Sequence, residues 1–337
     1  MTSLVIQTAF LGDVVLTTPL LAALAERDGP VDVVTTPGAA PLLETHPAVR
    51  RVIPYDKSGR ERGLPALLGL ARRLRAEGYG AAYLPHRSLR TAALAWLARI
   101  PRRVGFHDGW PFLYTVVRRR PAEGHEIDRL LALVDARPGA APTVGLTGPD
   151  QAAADALLRE AGVGPPFVAL APGSIWGSKR WPGYPELGAA LARRGVAVVA
   201  VGGAEDAALG EEIVAAVRRG GGGGNAANVC GRLTLRASAA LIGRAAALVT
   251  NDSAPLHVAQ AVGTPTVAIF GPTVPAFGFG PRGPRDRAIG VEGLPCRPCH
   301  RHGPAVCPLG HHLCMKSLRV EDALLAIEET GALRRRD

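Results

Sequence analysis

The sequence has no long apolar segment and few aromatic side chains. None of its apolar runs reaches the roughly 18 residues of a membrane-spanning helix, and Phe, Trp and Tyr make up 5% of the 337 residues. The chain enters a strand-like run at residues 3–8 without a basic segment before it, a start that predicts no signal peptide. Because 47% of the residues are hydrophobic and 20% are charged, wholesale disorder is excluded. The length predicts two globular domains.

The charge of the chain is unbalanced. It has 39 Lys and Arg against 29 Asp and Glu, a net charge of +10. Residues 57–120 alone hold fourteen basic and three acidic residues, which concentrates the excess in one stretch. Such a stretch predicts an anionic partner, which is a nucleic acid, a phosphorylated substrate or an acidic membrane surface. A solvated, arginine-rich surface is the alternative. Nucleic acid is the least favoured partner, since few aromatics interleave with the arginines and no known binding motif is present.

Strand-like runs and helical patterns alternate through both halves of the chain. The predicted strands are residues 5–6, 31–35, 52–54, 81–84, 167–170, 196–201, 247–250 and 266–270. This alternation predicts parallel sheets covered by helices on both faces. A Gly- and Pro-rich break at residues 162–166 predicts two successive doubly wound units. Ligands of such sheets bind beyond the carboxyl ends of the strands, where helix N-termini point.

Gly12 and Asp13 follow the first predicted strand and open a helix. Glycine allows a tight turn, and the helix dipole favours a carboxylate at the start of a helix. Asp13 is therefore a candidate base facing the crevice between the domains. A plain helix cap is the alternative that the spacing leaves open.

The first strand of the second unit is followed by a small-residue turn, residues 171–174, and then by Lys179 at the start of the segment KRWP. Backbone N–H groups, the Ser174 hydroxyl and the Lys179 ammonium suit a diphosphate. The turn carries neither the Gly-x-Gly-x-x-Gly pattern of dinucleotide-binding folds nor the Gly-x-x-x-x-Gly-Lys pattern of P-loop ATPases. A solvated loop is the alternative.

Two further strand ends carry polar residues. Glu205 and Asp206 follow one strand and are candidates for holding ribose hydroxyls. Asp252 and Ser253 follow another and could meet ligand hydroxyls or phosphate, and His257 falls about one turn into the next helix. Helix capping is the alternative for the acidic and hydroxyl residues, and a place in the core is the alternative for His257.

Four of the five cysteines cluster within 19 residues, at Cys296, Cys299, Cys307 and Cys314, and four histidines are interleaved with them. In a reducing compartment such a cluster indicates a metal site before disulfides. The cluster predicts a structural zinc site, although only the first pair of cysteines has the Cys-x-x-Cys spacing of zinc modules. Free or redox-labile thiols are the alternative.

Together these segments resemble glycosyltransferase family 9, the ADP-heptose:lipopolysaccharide heptosyltransferases, and in particular its heptosyltransferase II branch. The matching segments are residues 12–19, 171–174 with 179–182, 203–205, 230–235, 251–257 and 270–273. They keep the family's order over nearly the whole chain, which is far more specific than any single match. Ser174 and Ser253 depart from the pattern, since many members have Thr at these positions.

The resemblance implies an α/β GT-B fold, in which two Rossmann-like doubly wound domains face an interdomain cleft. The expected domains are an acceptor-side domain, 1–161, and a nucleotide-sugar-binding domain, 162–337, which includes the Cys-rich loop 296–314 and a closing helix. The implied reaction is an inverting transfer of a manno-heptose from ADP-heptose to the inner core, heptosyl-Kdo-lipid A, of lipopolysaccharide. No cofactor is expected to be required, and a structural zinc is possible. No Asp-x-Asp string that would indicate a catalytic divalent ion occurs in the chain.

The same likeness implies roles for the motif residues. Asp13, at the turn that Gly12 allows, becomes the general base for the acceptor hydroxyl, and Lys179 becomes the cation that holds the diphosphate. The remaining substrate contacts are expected to be Ser174 with the diphosphate, Glu205 with the ribose, Leu233 with the adenine, Asp252 and Ser253 with sugar and phosphate, and His257 nearby.

The implied acceptor is an anionic glycolipid at the inner leaflet of the inner membrane. That acceptor gives the basic stretch 57–120 a function and predicts a cytoplasmic, peripherally membrane-associated protein with no nucleic-acid partner. One alternative keeps the family but changes the nucleotide sugar or the acceptor. A more distant one is a basic, zinc-containing nucleic-acid-binding protein.

Overall fold

The computed structural model describes residues 2–221 and 224–333. These residues form two compact units that divide between Gly145 and Leu146. Each unit contains a six-stranded sheet in which every neighbouring pair of strands is parallel. The predicted class, α/β with doubly wound parallel sheets, is confirmed.

The first sheet has the strand order β3-β2-β1-β4-β5-β6. Its strands are β1 (Ser3–Ile6), β2 (Val31–Thr35), β3 (Val49–Pro54), β4 (Ala81–Leu84), β5 (Arg102–Phe106) and β6 (Val116–Arg118). Its helices are α1 (Leu11–Asp28), α2 (Leu64–Ala76), α3 (Leu89–Leu97) and α4 (Glu126–Leu131). Alternate side chains of β1 point to opposite faces. Leu4 and Ile6 pack with α2 and α3, whereas Val5 packs with α1 and α4.

The second sheet has the order β12-β11-β10-β7-β8-β9. Its strands are β7 (Phe167–Ala171), β8 (Ala197–Ala200), β9 (Ala226–Asn228), β10 (Ala247–Asn251), β11 (Thr266–Ile269) and β12 (Arg287–Ile289). Its helices are α5 (Gly148–Glu160), α6 (Tyr184–Arg193), α7 (Ala207–Arg219), α8 (Leu235–Ile242), α9 (Ala254–Val262), α10 (Leu313–Lys316) and α11 (Val320–Glu329). Strands β7, β10 and β11 are short apolar runs that are buried on both faces, as parallel strands are.

Helix α5 lies in the second unit, although the sequence predicted a boundary after residue 161. It packs against α8. The guanidinium of Arg236 donates to Asp150 at 3.0 Å, and Arg244 pairs with Asp155. These contacts attach the helix to the unit that follows it, so the observed division falls one helix earlier in the chain.

Both sheets have their switch point at the first strand of the unit. Strand β1 lies between β2 and β4, and β7 lies between β10 and β8. The loops that leave neighbouring strands in opposite directions open a crevice at the carboxyl edge, where ligands bind. The predicted site residues follow β1 in the first unit and β7, β8, β9 and β10 in the second. Among residues 2–221 and 224–333, no helix is long and apolar enough to cross a bilayer.

Candidate active site

Asp13 lies in the first turn of α1, directly beyond the carboxyl end of β1. Its Oδ2 accepts the backbone N–H of Phe10 at 3.1 Å. The helix behind it is anchored by Thr17, whose hydroxyl donates to the Asp13 carbonyl oxygen at 2.7 Å and accepts from Gln7 Nε2 at 2.9 Å. The cap that the sequence left as an alternative is therefore present. It also holds the carboxyl at the edge of the sheet where a ligand would bind.

The surroundings of Asp13 raise its pKa to about 6. Burial is the largest cause, and the negative charge of Glu126 adds to it. The Phe10 N–H and the Arg120 guanidinium act in the opposite direction. Glu126 opens α4, which packs against α1, and it pairs with Arg120 and, at 3.6 Å, with Arg129. A carboxylate whose pKa lies near neutrality is suited to accepting a proton.

The pH dependence of the activity that the resemblance implies should depend on the surroundings of Asp13. If Asp13 acts as a base, kcat/KM should rise with pH through about 6 and level off above it, because only the ionised carboxyl can accept a proton. Glu126→Gln removes a negative charge that raises the pKa, so the rise should move to lower pH. Glu123→Gln, an exposed residue nearby, is the matched control. An unchanged pH profile in the Glu126 variant would contradict the effect of the Glu126 charge on the pKa of Asp13.

Sequence reasoning missed His86, which lies just beyond the carboxyl end of β4, the strand next to β1. Its buried Nδ1 has no hydrogen-bond partner among the described residues. Burial, together with the Lys57 and Arg87 cations, lowers the pKa of His86 to about 4, so the ring is neutral at pH 7. The only sequence signal was its position directly after a strand.

In the second unit, Lys179 forms the centre of a polar cluster. Its Nζ donates to the Asp252 carboxylate at 2.6 Å and to the Asp252 carbonyl oxygen at 3.1 Å. The Thr273 hydroxyl donates to the same carboxylate at 2.7 Å. Lys179 and Asp252 follow β7 and β10, which are neighbouring strands. The structure therefore joins two motifs that lie 73 residues apart in the chain.

Asn251 fixes the loops that carry this cluster. The residue is fully buried at the end of β10, and its Nδ2 donates to the carbonyl oxygens of Pro172 and Gly173 at 2.8 and 3.2 Å. Its Oδ1 accepts the backbone N–H of Trp181 at 3.2 Å. One side chain thus positions the turn after β7, the segment after Lys179 and the end of β10. Buried amides with all partners satisfied fix loop geometry in this way.

Ser174 lies in the tight turn after β7 and is buried. Its hydroxyl accepts the Trp176 N–H at 3.2 Å. The turn approaches Asp206 so closely that a Cβ on Gly173 would lie 2.3 Å from the Asp206 carboxyl, which is why glycine is required. Burial raises the pKa of Asp206, and its Oδ2 accepts the Gly203 N–H at 3.1 Å. Asp206 is therefore a structural cap, whereas its neighbour Glu205 is exposed beyond β8.

The loop that carries Leu233 lies against the loop after β8. The Gly231 N–H donates to the Gly202 carbonyl oxygen at 3.0 Å. Gly231 has a φ of +73°, which an L side chain rarely adopts, and a Cβ there would meet Ala204. Leu233 itself is half-buried. The structure thus brings the expected ribose residue Glu205 and the expected adenine residue Leu233 to adjacent loops.

Ser253 is the N-cap of α9, which starts beyond β10, and His257 lies within that helix. The Ser253 hydroxyl lies 3.4 Å from the Gly173 carbonyl oxygen, so the residue faces the turn after β7. His257 is buried one turn further along, and its Nδ1 is bonded to Gln260 Oε1 at 3.1 Å. Burial lowers the pKa of His257, whereas Gln260 and the Asp252 charge raise it. This environment is the one expected for the core alternative.

The four clustered cysteines surround one cavity of about 30 Å³, together with Pro272, Arg297, Pro308, Leu309 and His311. Burial raises the pKa of the Cys299 and Cys314 thiols, and the other thiols of the cluster raise it further. In the part of the chain that the structure describes, however, no three His, Cys, Asp or Glu side chains are arranged to hold a metal. The zinc site therefore stays a prediction.

The Cys-rich loop also supports the Lys179 cluster. The Ser178 hydroxyl donates to the Pro304 carbonyl oxygen at 2.5 Å, and His312 Nε2 bonds the Ser178 carbonyl oxygen at 2.7 Å. A Cβ on Gly303 would lie 2.9 Å from Lys179 Cε. The loop is thus packed directly against the aliphatic part of the lysine, which leaves its ammonium few other positions.

Known proteins can now be compared with this arrangement. The sequence profile of glycosyltransferase family 9 (heptosyltransferase) matches residues 67–308. The chain belongs to glycosyltransferase family 9. It is 29% identical to lipopolysaccharide heptosyltransferase 2 of Salmonella typhimurium over 81% of this chain and 84% of that protein. It is 31% identical to lipopolysaccharide heptosyltransferase 1 of Pseudomonas aeruginosa over 88% of this chain and 85% of that protein.

Among solved structures, the ADP-heptose lipopolysaccharide heptosyltransferase II of Escherichia coli superimposes with a TM-score of 0.78 at 25% identity, covering 98% of each chain. These matches confirm the predicted GT-B class and the predicted glycosyltransferase activity. They also confirm a heptosyltransferase of lipopolysaccharide biosynthesis as the general function. Relatives of both heptosyltransferase subtypes are among the matches.

Proposed function

We propose that this family 9 enzyme transfers a manno-heptose from ADP-heptose to heptosyl-Kdo-lipid A with inversion at the anomeric carbon. The observation that carries the proposal is the presence of a carboxyl group at the carboxyl edge of the first sheet and of an ammonium group at that of the second. The first unit presents a carboxyl, Asp13, whose pKa is raised to about 6. The second presents a preorganised ammonium, Lys179, beside the helix start at Ser253. A base and a diphosphate site are the two groups that this reaction needs.

The donor would bind to the second unit. Lys179 and Ser174 would hold the diphosphate, Glu205 the ribose, and Leu233 the adenine. Asp252 and Ser253 would bind sugar and phosphate. The contacts described above support these roles, because they bring the loops after β7, β8, β9 and β10 to one edge of the sheet.

The reaction itself is a single displacement. Asp13 removes the proton of the acceptor hydroxyl as its oxygen attacks the anomeric carbon of the heptose. The bond between that carbon and the diphosphate oxygen breaks, and the electron pair leaves with ADP. Lys179 stabilises the charge that develops on the diphosphate; preorganised contacts of this kind are typically worth about 3–4 kcal/mol at a transition state. One displacement inverts the configuration, so no second nucleophilic carboxylate is needed.

The acceptor would be an anionic glycolipid at the inner membrane leaflet, and the protein a cytoplasmic enzyme associated peripherally with that membrane. The basic stretch 57–120 supports this proposal, since it belongs to the acceptor-side unit. A second candidate, favoured by the matches to both heptosyltransferase subtypes, is the same chemistry at another inner-core position.

ADP release measured with a panel of donors and acceptors tests the proposal. We expect ADP-heptose with heptosyl-Kdo-lipid A to give the highest kcat/KM, and UDP- and GDP-sugars to give little. A higher rate on Kdo-lipid A without the first heptose would assign the chain to the other acceptor position. Transfer from a UDP- or GDP-sugar in preference to ADP-heptose would overturn the proposed donor.

We also propose that the thiols of Cys296, Cys299, Cys307 and Cys314 bind one structural zinc ion. Four thiolates are the donor set that structural zinc prefers, and all four line one cavity. Metal analysis of protein purified without chelator should give about one zinc per chain, because four thiolates fill the tetrahedral shell. Cys299→Ser should lose the metal, whereas Cys230→Ser, outside the cluster, should keep it. Metal-free wild-type protein with normal thermal stability would contradict the site.

A further inference from the structure

Three large apolar side chains of the first unit are exposed on neighbouring elements. Leu89 and Trp96 of α3 are 46% and 53% exposed, and Phe112 is 74% exposed. Leu89 and Trp96 are seven positions apart, which places them on the same side of the helix, two turns from each other. Phe112 lies in the short 3-10 turn Pro111–Leu113, which contacts α3. The three side chains therefore share one surface.

Exposed arginines lie on and next to the elements that carry these side chains. Helix α2 lies beside α3 on the same face of the sheet and exposes Arg72 and Arg75. Arg99 and Arg102 are exposed just beyond the end of α3. In the part of the chain that the structure describes, none of these four arginines forms an ion pair with an acidic side chain.

The opposite face of the same sheet is different. There Arg27 of α1 is paired with Asp28, and Arg120 and Arg129 are paired with Glu126 of α4. Among the described residues, the charges of Arg72, Arg75, Arg99 and Arg102 are thus left without an acidic partner on the outer surface of α2, α3 and the turn at 111–113, which we call the α2–α3 face.

We propose that the α2–α3 face docks on an anionic phospholipid bilayer, with Trp96 and Phe112 entering the headgroup region. Aromatic side chains favour the interface between water and hydrocarbon, where an apolar ring is partly desolvated. Each arginine near an anionic surface gains further attraction. A nucleic acid would engage the arginines but would leave Leu89 of the same helix side exposed to water. The combination of apolar and basic groups therefore favours the membrane.

Vesicle sedimentation with the full-length protein tests this face. The wild type should sediment with vesicles of phosphatidylethanolamine and phosphatidylglycerol, and not with vesicles of phosphatidylcholine alone. The double variants Trp96→Ala/Phe112→Ala and Arg72→Glu/Arg75→Glu should each bind the anionic vesicles roughly tenfold or more weakly. The matched controls are Leu325→Ala on α11 and Arg218→Glu/Arg219→Glu on α7, which are also exposed. The controls should bind as the wild type does.

Several results would overturn the docking face. One is wild-type binding in both docking variants, and another is an equal loss in the controls. A change confined to the arginine variant, with full binding by Trp96→Ala/Phe112→Ala, would also overturn it, because it would leave the rings in water. Circular dichroism and thermal melting of each variant exclude unfolding as the cause of a loss.

This inference rests on the proposed function in one respect: the lipid acceptor is the reason why the enzyme would bind a membrane. Transfer to a soluble, deacylated acceptor should be unchanged in the docking variants, since none of the four substituted residues belongs to the candidate active site. If the wild type fails to transfer heptose, the proposed function fails while the vesicle result still stands. If the wild type transfers heptose but ignores anionic vesicles, the docking face alone fails.

Discussion

Replacing Asp13 by Asn is expected to lower kcat by roughly 10²–10⁴-fold, the usual contribution of a positioned general base. The affinity for ADP-heptose, measured by calorimetry, should stay at the wild-type value, because the proposed donor contacts are all in the second unit. Asparagine keeps an acceptor for the Phe10 N–H, which the Asp13 carboxylate accepts at 3.1 Å, so the start of α1 should remain intact. The variant therefore removes the base and keeps the cap.

Asp28, at the other end of the same helix, supplies the control. Its carboxylate is held by Arg27 and by the Ser3 hydroxyl, which lower the pKa of Asp28, and it is far along α1 from the candidate site. Asp28→Asn should retain wild-type kcat. Full activity in Asp13→Asn would remove Asp13 as the base and return it to the capping role that the sequence also allowed.

The parts of the fold that could be predicted from sequence are the buried strands with continuous apolar runs. Val31–Thr35 and Ala81–Leu84 were predicted with the bounds they have in the structure. Strand β5, which begins with two arginines, and the three-residue strands β6, β9 and β12 were not predicted. The last three lie at sheet edges, where only one neighbour is needed and the apolar pattern is weak.

The candidate site was also predicted only in part. Each motif could be placed at a strand end from its neighbours in sequence, which is how Asp13, Lys179 and Asp252 were found. Their partners could not be placed, because they come from other strands. Thr273 reaches Asp252 across 21 residues, and Glu126 reaches the surroundings of Asp13 through the packing of α4 on α1. Such tertiary contacts leave no periodic signal in the sequence.

Replacing Lys179 should also lower kcat strongly. Lys179→Met keeps the aliphatic packing under the Cys-rich loop and removes the ammonium that would meet the diphosphate. We expect kcat to fall by roughly 10²–10³-fold, as for the loss of one preorganised charge-stabilising contact, and ADP-heptose to bind more weakly. Lys316→Met, an exposed lysine on α10, is the matched control and should behave as the wild type.

Variants of the Lys179–Asp252 ion pair distinguish a role of Lys179 in catalysis from a role in stability. Both side chains are about nine-tenths buried, so among the described residues Lys179→Met leaves the Asp252 carboxylate with only the Thr273 hydroxyl as a side-chain donor. Breaking such a buried pair costs about 3–5 kcal/mol of stability. Removing both charges in Lys179→Met/Asp252→Asn should restore much of the unfolding free energy, since no unpaired charge stays buried, while transfer remains lost. A double variant that recovered activity together with stability would mean that Lys179 supports the fold and has no part in binding the diphosphate.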